Sequence, residues 1–292
     1  MRHRILNDQP VSRLAIWARR LALFALAATF VAIIIVRSGA LDIVPALSTL
    51  GGALVLACVA ILLALASGVV IWRDGIGGGR YAAAALFIGC ALIAYPAYLG
   101  LKAYRLPAIY DITTDPIDPP QFDAIARLRP RDANPITYAG LYAAELQHAA
   151  YSDIEPDLTD STPQEAYDAA MKVIIKRKWR IVDARPPQGS AVRAVETRAP
   201  PGPAPRDGFI EAIARTPILG FRDDVVVRVR PTSDGTRIDV RSASRYGRHD
   251  LGTNATRVRN LINDIDDVLA LPQKPAPAPA KPQAPAKPSA KR

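Results

Sequence analysis

The sequence predicts an α+β protein: an N-terminal anchor of three transmembrane helices, then a two-layer α/β sandwich with an antiparallel sheet. Three observations point there. Residues 14–101 are overwhelmingly apolar, while nearly all the acidic residues lie beyond them. Past residue 160 a helical apolar stripe leads into several segments that alternate apolar and polar residues. A second helical stripe then closes the ordered part of the chain.

A helix needs about 20 apolar residues to cross a hydrocarbon core of about 30 Å. Segments 14–36, 44–72 and 81–101 meet that requirement, and their cores at 21–36, 44–72 and 81–101 hold no Asp, Glu, Lys, Arg or His. Trp17, Trp72, Tyr81, Tyr98 and Tyr104 fall near the ends, where amphipathic rings favour the headgroup layer. Transport proteins place ionisable groups at membrane depth. Without them these helices read as an anchor whose partner is the lipid bilayer.

The first span also resembles a signal peptide, with Ser38-Gly39-Ala40 as a weak cleavage site. Bulky Ile33-Ile34-Ile35-Val36 just before that site favours retention. Lys and Arg set the orientation. A cytoplasmic N-terminus (residues 1–13) places 7 of them inside, against 3 outside. Three crossings then put the remainder of the chain in the periplasm, with the anchor in a bacterial inner membrane.

The net charge of +10 invites a nucleic-acid reading, and its distribution removes it. Residues 1–102 carry a net +6, the tail 272–292 a net +5, and residues 103–271 a net −1. A duplex-binding domain needs its positive footprint on the folded part. Cys58 and Cys90 both lie inside apolar segments, so the soluble part has neither a disulfide nor a thiolate nucleophile.

Residues 105–160, rich in Pro and Asp, read as an extended connector with a short helix near 121–129 and helical turns at 139–150. The folded domain is expected over 161–271. Thr162-Pro163-Gln164-Glu165 opens its first helix as a capping box with Pro in the first turn. Ala166, Ala169, Ala170, Val173 and Ile174 form that helix's apolar stripe. Strands are expected at 179–184, 191–197, 209–214, 222–230 and 236–245. The last two form a hairpin in which Val225, Val227 and Val229 share a face, as do Ile238 and Val240. A helix over 254–269 supplies Val258, Leu261, Ile262, Ile265, Val268 and Leu269 to cover it. The tail 272–292, made largely of Pro, Ala and Lys, is expected to be disordered, a cationic contact or a solvated end.

Tyr151-Ser152-Asp153-Ile154, Trp179-Arg180-Ile181-Val182, GFIEAIARTPILGFRDDVVVRVRP (208–231) and DVRSASRYGRHDLGTNATRVRNL (239–261) together carry a resemblance. The chain resembles, over residues 108–270, the bacterial family called domain of unknown function 1499. The Pro-rich segment 198–207 and the strand before it look like an insertion. The resemblance implies the domain but no settled activity.

Strand alternation puts Arg228 and Arg230 opposite the valine face, with Arg237, Arg241 and Arg245 beside them. Such a surface suits bidentate recognition of a carboxylate or phosphate. Cross-strand ion pairs on a solvated face are the competing reading. The loop 247–254 offers backbone N–H groups to an anion, with Arg245, Arg248 and Arg257 in reach. Alternatively Asp250 or Asn254 caps the helix that follows. Asp223 and Asp224 point to opposite faces and cannot act as an acid–base pair without a bulge.

His148 and His249 are the only histidines after the spans, and no phosphate loop, G-x-S-x-G or H-E-x-x-H occurs. No cofactor, metal or catalytic residue is implied. The expectation is a non-catalytic envelope domain that binds an anionic ligand or another envelope protein. The alternatives are a periplasmic-face enzyme using Asp223, Asp224 or Asp250, and a subunit of a membrane complex.

Overall fold

The computed structural model describes residues 10–188 and 206–271. The expected strand at 191–197, most of the 198–207 loop, the extreme N-terminus and the Pro/Ala/Lys tail lie outside the described residues.

Three helices, α1 (Arg13–Ser38), α2 (Ile43–Asp74) and α3 (Gly79–Arg105), are each long and apolar enough to cross a membrane. Small residues face their neighbours: Ala15, Ala18, Ala22 and Ala25 on α1, and Ala53, Ala57, Ala60 and Ala64 on α2 are buried. Phe24, Phe30, Leu62 and Phe87 point outward. That arrangement inverts a water-soluble bundle and matches helices that meet through small residues within lipid. Gly89 of α3 marks the tightest approach. A Cβ there would lie 2.5 Å from Ile61 Cγ1 and 3.3 Å from the Ala57 carbonyl of α2.

Beyond the helices, all strands of the sheet are antiparallel. Its order is β1 (Asp111–Thr113), β6 (Gly235–Ser244), β5 (Arg222–Thr232), β4 (Gly208–Arg215) and β3 (Arg180–Arg185). β2 (Asp157–Thr159) pairs with the other half of β6, so two short strands share one edge. Gln147, on α4 (Leu141–Ala150), closes the free side of β1 by bonding both the N–H and the carbonyl of Thr113.

Two helices cover one face of the sheet. α5 (Pro163–Lys176) begins with the predicted capping box: Thr162 Oγ1 accepts from Glu165 N–H, and the Glu165 carboxylate accepts from Thr162 N–H. α6 (Thr253–Ala270) lies beside it. Their apolar stripes bury Val173, Ile174, Val258, Leu261 and Ile265 against Ile210, Val225, Val227, Val229, Ile238 and Val240. Each such side chain stabilises the fold by about 1.5–3 kcal/mol relative to exposure.

The segment expected to be an extended connector belongs to the fold. It supplies β1, β2, α4 and a 3-10 turn at Ile125–Leu128. Residues 114–136 also cross the other face of the sheet, where Phe122, Ile125 and Ile136 meet Ile213, Val226 and Ala243.

Candidate functional site

On the face beneath residues 114–136 the arginines are present as predicted, but not open to a ligand. Arg228 is buried; its Nε and Nη2 donate to Asp239 Oδ2 at 3.0 and 2.8 Å, and its Nη1 to Asp118 at 3.0 Å. Arg230, half-exposed, reaches Asp118 at 2.7 Å and Asp207 at 3.2 Å. Those donated bonds, Arg230's first, hold the Asp118 carboxyl below its ordinary range. Arg241 is fully buried. It grips Asp111 with two bonds, donates to the carbonyls of Pro120 and Ile136, and stacks 4.7 Å from the Phe122 ring centroid. Burial pushes the Asp111 carboxyl up, against the pull of Arg241. Arg245 and Arg129 converge on Asp224, at 2.7 and 2.6 Å.

The open Arg-rich surface expected from strand alternation is therefore an internal ion-pair layer. The competing reading, in which cross-strand acids neutralise the arginines, describes the pairing; the solvation it assumed is removed by the covering segment. Glu211, which no sequence pattern singled out, is fully buried in the same layer and accepts the N–H groups of Asp123, Ala124 and Ile125.

Asp223 points through the sheet to the helix side, as alternation requires, and meets Arg257 at 2.5 Å. Arg257 also donates to Ser242 Oγ and Asn254 Oδ1, and Asn254 Nδ2 donates to Ser244 Oγ and the Tyr110 carbonyl. This chain ties α6 to the edge of the sheet. In the 247–254 loop the capping alternative holds: Asp250 accepts from Gly252 N–H at 2.9 Å and Asn254 N–H at 2.7 Å. Burial nevertheless pushes its carboxyl up. Arg248 is exposed and away from these bonds. Each carboxylate named for an enzyme, Asp223, Asp224 and Asp250, is thus committed to structural bonds. Among the described residues no group of three His, Cys, Asp or Glu converges to hold a metal.

A second set of contacts lies where the helices meet the domain. Arg37, near the end of α1, donates to the carbonyls of Pro217 and Ile218 at 2.6 and 3.1 Å. That fastens the β4–β5 turn, where Gly220 adopts φ +71° with Arg37 Cγ only 3.0 Å from where a Cβ would sit. His249 Nδ1 accepts from Leu251 N–H, which leaves Nε2–H to donate to the Leu106 carbonyl just after α3. Between these two ties lies a cavity of about 330 Å³. Leu47 of α2 and Tyr95, Leu99 and Lys102 of α3 form one wall; Ile218, Phe221, Arg222 and Tyr246 of the domain form the other. Lys102 and Arg222 make no ion pair among the described residues. No sequence pattern marked this cavity, because its walls come from segments more than a hundred residues apart.

A family model described as "protein of unknown function (DUF1499)" matches residues 111–265. The match includes the domain wall of the cavity and excludes the helical wall. No curated protein and no solved structure matches the chain.

Proposed function

The chain belongs to the DUF1499 family, whose description assigns no activity, and from that premise we propose that it is a membrane-anchored, non-catalytic binding domain of the bacterial cell envelope. The domain stands on the periplasmic face of the inner membrane, and it binds its ligand at the junction with its own helices. The observation that carries this reading is the cavity between α2, α3 and the β4–β5 turn. It combines an apolar wall with Lys102 and Arg222, which pair with no carboxylate among the described residues, whereas the buried arginines of the domain are already neutralised. Small-molecule sites favour such clefts between structural units, apolar with a few placed polar groups.

The lysine and arginine distribution supports the orientation. The test has two parts. Alkaline phosphatase fused after Gln273 is expected to be active in a bacterial host; an inactive fusion with normal expression places the domain in the cytoplasm. Filling the cavity with Leu99→Trp is expected to abolish rescue of a deletion strain's envelope phenotype while the protein still accumulates in the membrane. Full rescue by that variant sinks the junction reading.

A further inference from the structure

Two kinds of side chain line this cavity. Lys102 near the end of α3, Arg222 and Tyr246 are polar, while Leu47 and Leu99 of the helices and Ile218, Leu219 and Phe221 of the domain are apolar. Tyr95 lies seven residues before Lys102 on α3, about 10 Å further down at 1.5 Å per residue. A charged mouth at a helix end, over an apolar slot of about 10 Å, has the profile of a phosphate joined to an acyl chain. Two acids also line the cavity, Asp223 and Asp250. Arg257 neutralises the first, and two backbone N–H groups occupy both oxygens of the second.

An independent feature calls for an anion beside Arg222. Arg215 and Arg222 sit directly opposite one another where β4 meets β5. Like charges in that position repel and destabilise a strand pair. Lys178 and Arg180 stand beside them around an adjoining cavity of about 210 Å³. None of these four cations pairs with a carboxylate among the described residues, although the other arginines of the sheet do. An exposed turn residue, Ile218, borders the junction cavity.

We infer that the junction cavity holds an anionic phospholipid of the surrounding bilayer. Its phosphate lies between Lys102 and Arg222, and one acyl chain runs along α3 toward Tyr95. The assignment rests on the junction-binding reading above and names its ligand class. Arg215, Arg180 and Lys178 extend the positive field over neighbouring headgroups, so the domain lies close against the membrane rather than swinging free.

The full chain is purified from membranes containing phosphatidylglycerol and phosphatidylcholine, and retained lipid is counted by native mass spectrometry. The protein is expected to keep one phosphatidylglycerol in preference to phosphatidylcholine. Combining Lys102→Gln with Arg222→Gln is expected to cut that preference about thirtyfold, from about 1 kcal/mol per cation near a headgroup. Lys172→Gln with Lys176→Gln, an equal charge change on the exposed side of α5, is expected to leave it intact. Equal retention of the two lipids, an unchanged preference in the Lys102/Arg222 variant, or displacement by millimolar inorganic phosphate overturns the phospholipid assignment.

Leu99→Trp separates the two levels of the idea, with its melting temperature as the check on folding. Loss of both lipids alike in this variant keeps the junction site and removes the anionic headgroup. Undiminished retention of lipid removes the junction site itself. If Leu99→Trp does not fold, Ile218→Trp blocks the same cavity from the exposed turn and is read the same way.

Discussion

Arg241 and Asp111 form a two-bonded ion pair, 3.0 and 2.7 Å, sealed within the sheet by Phe122 and the segment around it. The pair joins central strand β6 to edge strand β1, across 130 residues of chain. Removing one partner leaves the other charge buried and unpaired, which costs about 3–5 kcal/mol. Arg241→Ala is therefore expected to destabilise the full chain by that amount in denaturant titrations. Arg241→Met with Asp111→Leu is expected to recover most of the loss. A single variant as stable as the parent would show that the pair is solvated and that residues 114–136 do not cover it.

Asp250 offers a cleaner separation of structure from chemistry. Its two oxygens hold the N–H groups of Gly252 and Asn254 at the start of α6. Capping side chains of this kind contribute about 0.5–2 kcal/mol. Asp250→Ala is expected to lose that much stability, while Asp250→Asn, which keeps one acceptor oxygen, loses less. If Asp250→Asn abolishes rescue of a deletion strain while the fold melts normally, the carboxylate itself has a chemical task and the enzyme alternative returns.

A pH dependence follows from the edge of α6. Burial, with Asp157 and Asp267 nearby, pushes the Asp266 carboxyl up to about 6. Asp157 Oδ2 is buried with no donor among the described residues, so a proton on Asp266 supplies its bond. The folded state thus holds a proton that the unfolded chain has already released. Stability from this pair is present at low pH and declines as pH rises from about 4 to about 6. The displacement is worth at most about 3 kcal/mol, and screening of a largely exposed group reduces it to about 1 kcal/mol. Asp266→Asn, whose amide donates at every pH, is expected to flatten that decline and add about 1 kcal/mol near neutral pH. A melting profile between pH 4 and 7 unchanged by the substitution would refute the shared proton.

Much of this architecture was legible in the sequence because its signals are local. The spans show as unbroken apolar runs, α5 as a capping box with a stripe, and the β5–β6 hairpin as strict alternation. Alternation alone also placed Asp223 and Asp224 on opposite faces, where Arg257 takes one and Arg129 with Arg245 the other. Residues 114–136 left no comparable signal. They cover the arginine face with three apolar side chains, Phe122, Ile125 and Ile136, spaced without any helical or strand period. Their other contacts reach residues distant in sequence, as between Asp118 and Arg228 or between the N–H groups of residues 123–125 and Glu211. Period and propensity carry no information at that range. A surface predicted from one strand's alternation was consequently an interior, and the open cations lay at the helix junction instead.

The three-helix part carries its own test at Gly89. An added Cβ would sit 2.5 Å from Ile61 Cγ1, and a branched side chain has little rotamer freedom within a helix. The Ala57 carbonyl, one turn earlier on α2, lies 3.3 Å from the same point. Overpacking of this kind costs about 1–3 kcal/mol. Gly89→Ala is expected to lower the melting temperature of the full chain in detergent, and Gly89→Leu to lower it further. Because the clash is with one side chain, Ile61→Ala is expected to rescue Gly89→Ala, giving a favourable coupling on the order of 1 kcal/mol in a double-mutant cycle. Independent, additive effects would mean that α2 and α3 do not meet at this point. The wall that Leu47, Tyr95 and Leu99 form would then lose the helix pair that builds it.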